Sequence, residues 1–171
     1  MSKRVKLDRI DMKILRTLQD QGRISNVDLA KHAGLSAPPC LRRVRALEEA
    51  QIIKSYHAVI DTEKMGFGVT AFTFVSLSSH ADADLLQFEA QARDWPQVRE
   101  CTLLSGDVDY LLKVVAEDWD SYQSFITTQL TKAPNVHGVR SSLAIRIAKN
   151  APGIPLHEDS KKRPRPELIA S

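Results

Sequence analysis

Apolar residues repeat every three or four positions through about the first fifty residues and every second position from Val69, and this change of period most limits the fold. A period near 3.6 buries one stripe of a helix, whereas a period of two buries one face of a strand. A helical module followed by an α+β module is therefore expected.

In LDRIDMKILRTLQDQGR the stripe is Leu7, Ile10, Ile14 and Leu18, widened by Leu15. Asp8 is placed to cap this helix, with Asp11 at its third position beside the positive end of the dipole, and Gly22 ends it. ISNVDLAKHAG follows, with Ser25 as N-cap, Asp28 three residues on, and Ile24 and Leu29 at the spacing of a hydrophobic staple. The spacing predicts a short helix from about Asn26 to Ala33, stopped by Gly34. A third helix is expected from about Ala37 to Ala50, with Cys40, Val44 and Leu47 facing inward.

Two helices joined by a short turn at Gly34 make a helix-turn-helix, whose second member enters a major groove. Leu41, Arg42 and Arg45 fall outside the apolar stripe and are expected to face outward. Arg43 lies nearer its edge, where a guanidinium can pair with a carboxylate of the first helix. A solvated charged face is the alternative reading of the cluster. IIKSYHAVID alternates like a strand and is expected to form the wing, from which Lys54 reaches a phosphate.

Pro38 and Pro39 sit in the first turn of the third helix, where amides have no intrahelical acceptor and proline is tolerated. A Ser36 cap would normally accept from the second or third amide, which the prolines lack. Either the helix begins at Pro38, or the Ser36 hydroxyl is free to touch a partner.

From Val69 the order is strand, helix, strand, strand, helix, strand: VTAFTFVSLS, ADADLLQFEAQARDW, VRECTLLSG, YLLKVVAE, WDSYQSFITTQLTKA and VRSSLAIRIA. This is a ferredoxin-like βαββαβ sandwich with both helices on one face of an antiparallel sheet. Phe72, Phe74 and Val75 are expected on its open face, which self-association would cover. The turn SGDVDY sets Asp107 and Asp109 beside Gly106. It reads either as an Asp-rich turn satisfying its own amides or as a site where a carboxylate meets an ammonium and amides meet an anion.

Charge divides the chain in the same way. Residues 1–60 carry twelve Lys/Arg against six Asp/Glu, residues 61–150 eight against twelve, and the last 21 four against three, which sums to the net +3. Only the first module is expected to seek a polyanion. At 43% hydrophobic and 26% charged, with no long apolar run and no apolar leader in MSKRVKLDRID, the chain is expected to be globular, without a membrane span, and cytoplasmic. Cys40 and Cys101 have no metal or disulfide spacing and read as small buried apolar residues. The five histidines pair with no nucleophile or carboxylate at a recognisable spacing. No catalytic residue, metal site or cofactor is expected, and an enzyme built on the second module is the weaker alternative.

Together LDRIDMKILRTLQDQGRISNVDLAKHAGLSAPPCLRRVRALEEAQII and RECTLLSGDVDYLLKV resemble the Lrp/AsnC family of feast/famine regulators, most nearly its leucine-responsive branch, over roughly Leu7 to Leu156. Residues 150–171, rich in proline and charge with little apolar content, are expected to form a mostly disordered tail. The resemblance implies a winged helix-turn-helix (1–60), a linker (61–68) and an effector-binding and oligomerisation domain (69–149). It further implies a sequence-specific regulator binding double-stranded DNA, dimers assembling to octamers, and an amino-acid effector, leucine or another. Ser25, Asn26, Ser36, Pro38, Pro39, Leu41, Arg42 and Arg45, with Lys54, are the expected DNA contacts. Leu103, Ser105, Gly106, Asp107, Asp109, Tyr110, Ser141 and Ser142 are the expected effector contacts. Gln51 stands where the family usually has Gly, implying a less tightly turned helix end. A nucleoid-organising protein without effector response is the alternative.

Overall fold

A computed structural model of the chain describes residues 7–151 and 153–156. The described residues divide into two compact units, one holding those up to Val59 together with those from Asn150 to Leu156, the other Ile60–Lys149.

The first unit contains α1 (Arg9–Asp20), α2 (Asn26–Ala33) and α3 (Ala37–Glu49). Asp8 accepts from the amides of Ile10 and Asp11 at 2.8 Å each, while the Asp11 carboxylate accepts from the Asp8 amide, closing a reciprocal capping box. Ile14, Leu29, Ala30, Ala33, Cys40, Val44 and Leu47 form the core, with Leu7, Ile10, Leu18 and Ile24 packed on it. Met12, which the stripe omits, is also buried. Gly34 takes φ 74°, the left-handed conformation that closes α2 before the turn.

Three expectations for this unit are corrected. Ile52–Asp61 is not a wing strand but unladdered chain, because the alternating pattern finds no hydrogen-bonded neighbour within the unit; Tyr56, Val59 and Ile60 are exposed on it. The end of α3 is tightly turned despite lacking glycine. Gln51 itself adopts φ 56°, which lets the Ile52 and Ile53 amides reach the Leu47 carbonyl. Finally, the first residues of the expected disordered tail pack on α1. The Gln19 amide donates to the Ile154 carbonyl at 2.9 Å and accepts from the Ile154 amide at 3.0 Å. Gly153 makes this approach possible, since a Cβ there would lie 2.1 Å from Gln19 Oε1. From residue 157 the tail lies outside the described residues.

The second unit is a four-stranded antiparallel sheet in the order β2-β3-β1-β4: β1 (Val69–Leu77), β2 (Val98–Leu103), β3 (Tyr110–Ala116) and β4 (Val136–Leu143). The helices α4 (Asp82–Asp94) and α5 (Trp119–Thr128) follow β1 and β3, and a 3-10 turn, Leu130–Lys132, precedes β4. Odd residues of β1 and even residues of β3 face the core with Phe88, Tyr122, Phe125 and Leu130. Trp95 meets Phe88 and Phe125 edge-on, with ring centroids 6.0 and 5.5 Å away. The open face carries half-buried Phe72 and Phe74, the latter under the Arg140 guanidinium at 5.2 Å.

Val75, expected on the open face, is fully buried on the other, as strict alternation from Phe74 requires. The final strand starts at Val136, opposite the end of β1 at Leu77, and ends at Leu143, opposite Ala71, short of the expected AIRIA run; Ile145 is left fully exposed. Cys101 is not buried but lies on β2, a sheet edge.

Left-handed backbone costs a residue with a side chain roughly 1 kcal/mol, so Gln51→Gly should raise stability by up to about that amount, measured by urea denaturation.

Candidate nucleic-acid interface and effector turn

The helix-turn-helix presents α3 through a division of labour among its arginines. Arg43 Nη1 lies 2.8 Å from Asp8 Oδ2 and 2.7 Å from Asp11 Oδ1, tying α3 to the capping box of α1. Hydrogen bonds that Arg43 donates to the two carboxylates raise its pKa, the one to Asp11 contributing most. The Asp8 carboxyl is held below its usual range, first by the Asp11 amide and further by Arg43. Arg42 and Arg45 carry no such partner among the described residues and are exposed, as is Leu41.

At the tip of α3 the helix begins at Ala37, and Ser36 is its N-cap residue without a side-chain cap bond. Pro38 and Pro39 occupy the second and third helical positions, so both amides that Ser36 would accept from are absent and its hydroxyl is free. Pro38 is exposed and Pro39 half-buried. Ser25 and Asn26 have structural work instead: Ser25 accepts from the Asp28 amide at 3.2 Å, and Asn26 Nδ2 donates to the Ala37 carbonyl at 3.0 Å, fixing the turn. Lys54 is exposed on the unladdered segment after α3.

In the second unit the β2–β3 turn holds Ser105, Gly106 at φ 146° and Asp107, all exposed, with Leu103 half-exposed beside them. The Asp109 carbonyl accepts from the Leu104 amide at 2.8 Å, closing the turn. Asp109 does satisfy an amide, as the structural reading of the turn requires, but one from another strand. Its Oδ2 accepts from the Leu77 amide at 2.6 Å, and its Oδ1 lies 2.8 Å from His80 Nε2. Tyr110 points away from the turn into the core, where its hydroxyl donates to Glu89 Oε1 at 3.1 Å. Burial, and then Glu89, push it up to about 12.

Ser141 and Ser142 are not brought to the turn within the chain. Ser141 pairs with Thr73, whose other neighbour is Leu112, placing it about 10 Å, two strand spacings, from β3. Its hydroxyl accepts from Tyr122, which bonds Thr73 at 3.0 Å, while Ser142 lies on the opposite face beside Phe72. His80 is the residue that the sequence reading missed. It lies 29 positions from Asp109, and no local spacing signals the pair.

A basic helix-turn-helix joined to a βαββαβ unit with an acidic glycine turn defines a two-module DNA-binding regulator. Residues 7–54 match the family described as winged helix-turn-helix DNA-binding, and residues 70–154 match the Lrp/AsnC ligand binding domain. The chain is 51% identical over 148 residues to a leucine-responsive regulatory protein of Rhizobium meliloti, covering 86% of this chain and 95% of that one. It is 45% identical to the Bkd operon transcriptional regulator of Pseudomonas aeruginosa, covering 85% and 97%. A Neisseria meningitidis transcriptional regulator, solved as an L-Met complex, superposes with a TM-score of 0.84 at 36% identity, covering 88% of this chain and 97% of that one. This chain belongs to the Lrp/AsnC family of transcriptional regulators; it is a DNA-binding protein and not an enzyme. Among the described residues no helix is long and apolar enough to cross a membrane.

Two expected outcomes test the geometry. Because the folded Asp8 carboxyl titrates below its unfolded value of about 3.9, its contribution is present above that value and lost as pH falls through the folded one. Arg43→Met should therefore flatten the acid limb of the stability profile. Asp109→Ala strands the Leu77 amide and should cost about 1–3 kcal/mol, whereas Asp109→Asn, which keeps an acceptor, should cost less; denaturant midpoints distinguish them.

Proposed function

We propose that this protein is an amino-acid-responsive, sequence-specific transcriptional regulator that acts in the cytoplasm as a homodimer or as an octamer assembled from such dimers. The observation that carries the reading is the split among three arginines: Arg43 is neutralised by Asp8 and Asp11, and Arg42 and Arg45 remain exposed and unpaired on the same helix. Two copies of α3 in a dimer enter successive major grooves about one turn, ~34 Å, apart, so the operator is an imperfect palindrome. The basic first unit supplies phosphate neutralisation, with Lys54 at its periphery, and Arg42 and Arg45 read guanine edges. Ser36 and the Pro38–Pro39 surface add a hydroxyl and an apolar contact suited to a thymine methyl.

The effector is a small amino acid, leucine or methionine being the candidates that the relatives' names supply. Asp107, Asp109, Ser105 and the Gly106 backbone offer a carboxylate for its ammonium and amides for its carboxylate, with Leu103 as an apolar flank. Ser141 and Ser142 join only if a neighbouring copy brings them to the turn. Sheet faces carrying Phe72 and Phe74 supply the dimer contact. Effector control follows from binding one assembly state better than another, since only differential affinity shifts an equilibrium. Gel shifts on operator DNA test the reading: Arg42→Ala and Arg45→Ala should each weaken binding about tenfold or more and lower the salt slope by about one each. Unchanged affinity in the double variant would overturn it.

A further inference from the structure

His80 lies in the loop between β1 and α4 and, although 66% exposed, is held against Asp109, which is 18% exposed. The two oxygens of that carboxylate differ in availability. Oδ2 is committed to the Leu77 amide, and a ligand taking it would leave that amide bare. Oδ1 faces only the solvent-accessible imidazole, and an incoming donor can displace the ring without breaking the fold. The loop that delivers the ring is fixed. The Ser79 amide donates to Asn135 Oδ1 at 2.7 Å, Asn135 Nδ2 donates to the Ser79 carbonyl at 2.8 Å, and the Ser79 hydroxyl bonds Asp84. Titratable groups on the neighbouring elements include Asp107 and Asp109 of the turn, Asp82 and Asp84 of the first turn of α4, and His137 at the start of β4, while Glu89 of α4 is bonded to Tyr110 of β3.

We infer that His80 is an internal competitor at the effector turn: its imidazole occupies the Asp109 oxygen that the ammonium group of an amino-acid effector takes. The inference rests on the effector reading of the turn given above. A protonated ring makes a charge-assisted bond to Asp109 and competes with the ammonium, and a neutral ring yields. When a protonated ring is displaced, its proton leaves to solvent as the ammonium pairs with the carboxylate. By linkage, effector affinity falls as pH drops through the imidazole range.

Calorimetric titration of the full chain with L-leucine and with L-methionine, between about pH 5.5 and 8 and in buffers of differing ionisation enthalpy, tests this. Affinity should weaken by up to about tenfold per pH unit toward the acid end of that range, with up to one proton released per ligand. In His80→Gln both effects should vanish, while the affinity at the upper pH stays at or above that of the parent. A parent affinity that does not change with pH, or undiminished proton release in His80→Gln, would overturn the inference and leave the effector reading standing. Failure of both amino acids to bind the parent would overturn both.

Discussion

The second unit depends on the alternation of β1, the strand through which β3 and β4 are joined. Its odd residues, from Ala71 to Leu77, enter the core and its even ones form the open face, so one register decides both the helix-covered side and the side left for association. The same strand positions the β2–β3 turn. Pairing with β3 ends at Val75 opposite Tyr110, which leaves the Leu77 amide beyond the ladder. The Asp109 carboxylate replaces the missing carbonyl there. A turn residue is thus held by a side-chain bond to the end of the central strand, which gives the loop a fixed geometry without making it part of the sheet.

In the first unit the corresponding constraint is electrostatic. Neighbouring arginines on one helix have different fates because the α1 N-terminus lies next to only one of them. Asp8 and Asp11 already serve the α1 amides, and Arg43 uses their remaining oxygens. The charge directed outward from α3 is therefore fixed by the cap of another helix. Two prolines complete the surface by removing amides from the tip, which therefore presents side chains and carbon surface rather than a backbone anion nest.

What could be read from the sequence follows the range of the forces involved. The capping box at Asp8 and Asp11, the Ser25 cap, the stop at Gly34 and the Arg43 pairing were legible because each rests on local spacing or on the face of one helix. The βαββαβ order was legible for the same reason. The ends of strands were not, since they depend on pairing with another strand: β4 starts opposite Leu77 of β1, and the segment after α3 lacks a partner strand within its unit. The inward turn of Tyr110, the separation of Ser141 from the turn and the meeting of His80 with Asp109 all arise from pairings across the sheet. No window of neighbouring residues contains them.

The contact between Gln19 and Ile154 has a practical consequence. The chain leaves the helix-turn-helix unit near Val59, builds the sheet, and returns at Asn150 to lie on α1, where only a glycine at 153 admits the Gln19 amide. The last described residues are therefore tethered to the helix-turn-helix unit and not to the sheet they emerge from, so a truncation that removes Ile154 takes two hydrogen bonds from Gln19 and alters α1 rather than β4.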